Sequence, residues 1–215
     1  MQKIYKSCVK LSEQIFFRFF IVSKSFEFSC CGHTCGLGCN GGDLTAAWEY
    51  LSRHGICTGG LYEGTGCRPY SIPASHQVSG YTDTPECVKQ CQSSYTLNSY
   101  EQDKISGVSA YAVPSLNVKA MQQEIFENGP VEASFMVYED FYAYKEGVYY
   151  YVYGKPRGAH AVKVIGWGYD ESSGMDYWLA ANSWNTQFGI DGYFKIRRGT
   201  NECQFEVGMH AGMSF

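Results

Sequence analysis

Apolar residues follow two different rhythms along this chain. In "DLTAAWEYLSRHG", residues 43 to 55, they recur at helical spacing: Leu44, Ala47, Trp48 and Leu51 share one face. Asp43 is placed to cap that helix and Gly55 to end it. "NVKAMQQEIFENGP", residues 117 to 130, predicts a second helix, opened by Asn117 and stopped by Gly129 and Pro130. Beyond it the rhythm becomes that of strands. Residues 131–138, 147–154, 160–169, 175–184 and 192–199 are five strand candidates separated by glycine-containing turns. Residues 56–100 keep no period and are rich in Gly, Ser, Pro, Tyr and Cys. So long a loop needs staples, and Cys57, Cys67, Cys87 and Cys91 are placed to supply them. Helix and stapled loop first, strands second, predict an α+β protein in which a helical lobe packs on a β lobe.

Composition sharpens this picture. The chain of 215 residues is 45% hydrophobic, enough for one large domain or two lobes with a real core. Its net charge of -4 is scattered, with no basic stripe to suggest nucleic acid. Eight of the ten cysteines fall between Cys30 and Cys91, which reads as a disulfide framework and an oxidising compartment. Zinc is the competing reading for Cys30, Cys31, Cys35 and Cys39. However, their C-C-x3-C-x3-C spacing lacks the C-x2-C knuckle and no histidine pair follows. The N-terminus disagrees with the cysteines. "IFFRFFIV", residues 15 to 22, is interrupted by Arg18, has no small-residue cleavage site after it, and is too short to span a bilayer.

Candidate chemistry lies in the strand region. Alone, a histidine such as His160 is more often a packed or turn residue than a catalytic one, and an asparagine such as Asn182 at a strand end is usually a turn residue. Together they carry more weight. Each lies at a predicted strand edge, and the two strands are joined by a short turn at 169–175, so the side chains can meet. An asparagine oxygen accepting from one imidazole nitrogen fixes the tautomer and leaves the other nitrogen as a base. Trp184 is placed to roof that bond.

The ordered blocks "CNGG" (39–42), "GGLY" (59–62), "GCRPYSIP" (66–73), "NGPVEASF" (128–135), "YKEGVYY" (144–150), "GAHAVKVIGWG" (158–168), "YWLAANSWN" (177–185) and "GIDGYFKIRRG" (189–199) resemble the papain family of cysteine peptidases. "GCRPYSIP" is similar to the cathepsin B branch. The resemblance runs from about Val22 to the C-terminus. It implies a papain-like two-lobe fold, with a truncated, disulfide-rich helical lobe and a β-barrel-like lobe. On this reading 1–21 is an atypical N-terminal segment and 22–215 an incomplete peptidase domain. Residues 22–116 are what remains of the left lobe, and 117–215 form mainly the β lobe.

The resemblance also implies roles. His160 matches the base that pairs with the catalytic thiolate, Asn182 the residue that orients it, and Trp184 the indole that shields both. Gly41 and Gly42 match the backbone segment that pairs with an extended peptide, where a side chain would obstruct the approach. Leu44, Ser134 and Ala161 match the lining of the pocket for the substrate's second side chain. Gly208 stands where the branch has an acidic residue, which implies a preference for apolar side chains. The family's disulfides would pair Cys30 with Cys87, Cys31 with Cys35, and Cys67 with Cys91. No metal or organic cofactor is implied. The implied partners are peptide or protein substrates and protein inhibitors of cysteine peptidases, with neither nucleic acid nor a membrane span. The implied location is a lysosome-like vesicle or the extracellular space.

The departures from the pattern matter as much. The family's nucleophile lies in a Q-G-x-C-G-S-C-W block upstream of the cysteine cluster, and no such block stands before Cys30. Gln2, Ser7 and Cys8 are a faint echo of it, but Val9 replaces the tryptophan and the glycines are missing. Cys39 lacks the partner that the block would supply, and Cys57 and Cys203 have no obvious one. The loop from Arg68 to Cys87 carries His76 alone, where the branch has a histidine pair, and the implied activity is that of an endopeptidase. Three readings stay open. The first is an incomplete form of a cathepsin B-like endopeptidase, inactive as given; a single cause then explains every departure. The second is a secreted pseudoenzyme that binds peptides or inhibitors without cleavage. The third is a shortened active peptidase with Cys8 as its nucleophile.

Overall fold

The computed structural model describes residues 16–17, 20–21, 29–36, 41–60, 64–71, 84–184 and 186–214. The chain divides into two compact units. One is built on Tyr111–Ala211, the other on the described parts of Lys6–Ala110 and Gly212–Phe215. Phe16–Phe17 (β1) and Phe20–Ile21 (β2) pair antiparallel. The elements that follow are α1 (Leu44–His54), β3 (Gly107–Ala112), α2 (Val118–Asn128), β4 (Val131–Tyr138), β5 (Val148–Tyr149), β6 (Pro156–Asp170), β7 (Met175–Ala181), β8 (Tyr193–Arg197) and β9 (Met209–Ser214).

The 111–211 unit is organised by strands that neighbour one another in the order β4-β6-β7-β8-β5, with Met209 of β9 paired to Ala133 of β4. β4 is a central strand, buried along almost all its length because β6 and β9 flank it. Phe135 of β4 sits in a ring of Phe141, Phe194 and Phe205, with centroids 5.2, 5.7 and 5.6 Å away. All four are fully buried. α2 buries Met121 and Ile125, one helical turn apart. Its ends are those expected: the Asn117 side chain accepts from Ala120 N at 3.1 Å, and Gly129 takes φ +93° just past the last turn. The buried Glu206 has no cation beside it among the bonds described. Instead its carboxylate accepts from Trp178 Nε1 (2.9 Å), Gly199 N (2.6 Å) and Asn201 N (2.9 Å), and these bonds offset its desolvation.

Among its described residues, the other unit is built around α1 and three disulfides. α1 buries Leu44, Ala47, Trp48 and Leu51, as its spacing predicts, with Asp43 accepting from Ala46 N at 2.9 Å. The bridges Cys30–Cys87, Cys31–Cys35 and Cys67–Cys91 are the implied ones. They also remove the thiolates that a zinc site at Cys30, Cys31 and Cys35 would need. Residues 84–100 and the described part of 56–71 carry no helix or strand longer than an isolated bridge, as their composition suggests. Cys39, His76 and Cys8 lie outside the described residues.

Two expectations are corrected. The sheet is open, not barrel-like: among the described residues no pairing joins β3 to β5. The run "GVYYYVYG" is also not one strand, because only Val148 and Tyr149 pair, in parallel with β8. Beyond them carboxylates take the backbone donors that a ladder would use. Val152 N and Tyr153 N donate to Asp140 Oδ2 (2.8 and 3.2 Å), Tyr151 N to Glu202 Oε1 (3.2 Å) and Lys155 N to Glu139 Oε2 (3.1 Å). The strand therefore ends where the acidic side chains begin, and a two-residue edge is too short to close a barrel.

Candidate active site

His160 is set within β6, opposite Phe135 of β4, and is fully buried. Asn182 follows the last residue of β7 and is tied back by its backbone N to Gly192 O at 2.8 Å. β6 and β7 are antiparallel, paired from Asp170↔Met175 at the turn to Lys163↔Ala181, with a register shift between Val164 and Gly166. That hairpin brings His160 Nε2 to 2.9 Å from Asn182 Oδ1.

The same oxygen accepts the backbone N–H of Ser183 at 2.7 Å. An amide N–H can only donate, so the atom facing it must be the oxygen. Nε2 then carries the proton it donates, and Nδ1 holds the lone pair. The neighbouring peptide group thus sets the orientation of Asn182, and Asn182 sets the tautomer of His160.

Trp184 is stacked on the imidazole, with centroids 5.5 Å apart and planes at 20°. It meets Phe188 edge-on at 4.7 Å and Phe141 at 5.5 Å. Tyr142 stacks on it almost parallel, at 5.2 Å and 9°. Phe141, Tyr142 and Phe188 are not evident from sequence spacing. Phe141 and Tyr142 lie in a 3-10 turn at Glu139–Ala143, a geometry that hydrophobic periodicity does not signal. These rings exclude water from the His160–Asn182 bond, which strengthens it.

Ser134 and Ala161 face each other across β4 and β6, and Ser134 N donates to Gly208 O at 3.1 Å. A Cβ on Gly208 would lie 2.5 Å from Ser134 Oγ, so the space beside Ser134 depends on that glycine. Gly41, Gly42 and Leu44 belong to the other unit. There Gly41 has φ +113°, Gly42 bridges Gly36, and Asp43 N donates to Cys35 O at 2.7 Å. The Cys31–Cys35 bridge thereby fixes the glycine pair just before α1. Trp184, Asn182 and His160 form one group, Ser134, Ala161 and Gly208 a second, and Gly41, Gly42 and Leu44 a third.

The described cysteines offer His160 no obvious thiolate. Six are in disulfides. Burial, reinforced by the charge of Glu202 and a contact with it at 3.6 Å, pushes the Cys203 thiol up to about 12. Cys57 is buried in the other unit.

A family model described as papain family cysteine protease matches residues 8–213. The chain is 51% identical over 195 residues to cathepsin B-like cysteine proteinase 3 of Caenorhabditis elegans, covering 90% of this chain and 52% of that protein. It is 49% identical over 193 residues to a gut-specific cysteine proteinase of the same organism, covering 89% and 57%. Among solved structures, procathepsin B S9 from Trypanosoma congolense superimposes with a TM-score of 0.77 at 36% identity, over 90% of this chain and 60% of that one. Procathepsin L2 from Tenebrio molitor gives 0.69 at 26% identity, over 91% and 54%. The chain thus spans a little over half the length of these relatives.

Proposed function

Because the chain belongs to the papain family of cysteine proteases, we propose that His160 and Asn182 are the base and orienting residue of a cathepsin B-like endopeptidase. The observation that carries this is the Asn182 Oδ1 contact with both His160 Nε2 and Ser183 N, under the Trp184 ring. It leaves Nδ1 to exchange a proton with a thiol. In the reaction, a thiolate attacks the peptide carbonyl and gives a tetrahedral oxyanion. The imidazolium then protonates the leaving amine, and water, deprotonated by the same imidazole, releases the acyl group.

Gly41 and Gly42 would pair with an extended peptide or protein substrate, and Leu44, Ser134 and Ala161 would line the pocket for its second side chain. With Gly208 in place of an acid, that pocket favours apolar side chains. Protein inhibitors of cysteine peptidases are further proposed partners. Disulfides in the described chain favour a lysosome-like vesicle or the extracellular space.

The 215-residue sequence contains no Q-G-x-C-G-S-C-W block, and we read it as unable to cleave peptides by itself. A second reading, a pseudoenzyme that binds peptides without cleaving them, is favoured by the preserved order around His160. One experiment separates these. The purified chain is given a fluorogenic peptide with an apolar second residue, and is treated with a thiol-reactive epoxide followed by mass spectrometry. We expect no turnover and no labelling. A chain with the block placed ahead of Cys30 should cleave, and His160→Ala should lower its kcat by about 10²–10⁴-fold. Turnover by the unmodified chain with label on Cys8 would instead make Cys8 the nucleophile. Peptide binding without turnover, with no activity gained from the block, would establish the pseudoenzyme.

A further inference from the structure

Away from the His160 group, the sulfurs of Cys57 and Cys67 and a carboxylate oxygen of Asp103 all lie within 4.8 Å of one another. All three residues are buried. The grouping resembles a cation site, but its donors are already used. Cys67 is bonded to Cys91. Asp103 Oδ2 accepts Thr58 N and Thr58 Oγ1, both at 2.7 Å, and its Oδ1 accepts the Tyr95 hydroxyl. The chemistry left to the cluster is between sulfurs: a thiol at Cys57 beside a disulfide at Cys67–Cys91.

We propose that Cys57, Cys67 and Cys91 form an internal thiol–disulfide exchange site, which presents Cys91 to small-molecule disulfides. The Cys57 sulfur attacks Cys67 as the thiolate. The Cys57–Cys67 bond forms, the Cys67–Cys91 bond breaks, and Cys91 leaves as a thiolate that takes up the proton given up by Cys57. The chain as a whole is neither oxidised nor reduced, so this step needs no co-reactant. Cys91 is only partly buried, whereas Cys57 is fully so. Exchange therefore moves the thiol from the interior toward solvent. There it can attack a disulfide such as oxidised glutathione, forming a mixed disulfide and releasing one equivalent of the reduced thiol.

Hydrogen bonds independent of the Cys67–Cys91 bond favour this. Cys67 N donates to Thr58 Oγ1 at 3.0 Å and Arg68 N to Thr58 O at 2.9 Å, which keep 57–58 beside 67–68 in either isomer. Gln92 N donates to Cys67 O at 2.8 Å, and Gln92 Nε2 to Gly64 O and Gly66 O at 2.9 and 2.8 Å. These bonds keep the released Cys91 near its former partner, so the exchange is reversible.

The test uses the full chain without reductant. It is incubated with oxidised glutathione at several pH values, quenched in acid, alkylated in denaturant and mapped by mass spectrometry. We expect a Cys57–Cys67 linked peptide together with glutathione or the alkylating group on Cys91. Its rate of formation should rise about tenfold per pH unit below the thiol pKa. Cys57→Ala should abolish it. Cys91→Ala treated with oxidised glutathione should close the Cys57–Cys67 bond. The proposal is overturned if every molecule keeps Cys67–Cys91, if glutathione is found on Cys57, or if Cys91→Ala retains thiols or mixed disulfides at both Cys57 and Cys67.

Discussion

The two units solve the same problem by different means. The unit built on 111–211 is stabilised by apolar burial: β4 is covered on both sides and Phe135 sits in a ring of phenylalanines. Every described disulfide falls in the other unit, whose core is smaller, a set of Trp48, Leu51, Ile56, Cys57, Cys67 and Tyr100. Where the sequence has few periodic apolar positions, covalent closure of loops replaces burial as the stabilising term. The unit with continuous burial carries the His160–Asn182 pair. The stapled unit carries the glycine pair, for which we propose backbone pairing with an extended peptide.

Reduction should separate the units most clearly. The Cys30–Cys87 and Cys67–Cys91 bridges span 57 and 24 residues, and chain entropy puts their loss at about 4 and about 3 kcal/mol. Hydrogen exchange after reduction should show α1 losing protection while β4, β6 and β7 keep theirs. Equal loss in both units would break the comparison. The converse is Phe135→Ala, which should cost about 4 kcal/mol by denaturant unfolding and deprotect β4 and β6 first. Next is Asn182→Ala, which strips the acceptor from Ser183 N and His160 Nε2. We expect a loss of about 2 kcal/mol, with imidazole nitrogen shifts showing both tautomers where the parent shows one.

A pH dependence sharpens the same contrast. Folded Cys203 holds its proton up to about 12, because burial and Glu202 disfavour the thiolate. Unfolded, it ionises near the ordinary value of about 8.5. Its contribution is thus complete below that value and fades as pH rises toward the folded one. Through this window the parent should lose up to about 1.4 kcal/mol per pH unit more than Cys203→Ala. Parallel slopes for the two chains would show that Cys203 is not the cause. The smallest effects are the helix caps. Asp43→Ala in α1 and Asn117→Ala in α2 should each cost about 1 kcal/mol in thermal unfolding.

Elements whose apolar period and end signals agree were readable from sequence. α1 and α2 start at their capping side chains, β4, β7 and β8 lie within the predicted runs, and β6 contains its run but extends beyond it at both ends. β3 and β9 were not readable, since "GVSAYA" and "MHAGMS" mix small and polar residues without alternation. The run 150–155 was misread for the opposite reason. Its Tyr and Val residues favour a strand, but tertiary contacts with Asp140, Glu139 and Glu202 override that preference. His160, Asn182 and Trp184 were readable as a group because the β6–β7 hairpin is. The surrounding rings were not, because a 3-10 turn rather than a strand delivers Phe141 and Tyr142.

Those three carboxylates have a consequence for how the chain behaves among its own copies. "VYYYVY" has the composition of a segment that adds strands from neighbouring molecules, and β5 lies at the end of the sheet order. A strand edge recruits another chain through unpaired backbone donors. Between 151 and 155, three of the exposed donors and that of Lys155 are already bonded to acidic side chains of the same chain. The bonds that end the strand also deny it to others, because the donors a neighbouring chain would pair with are already taken within the molecule.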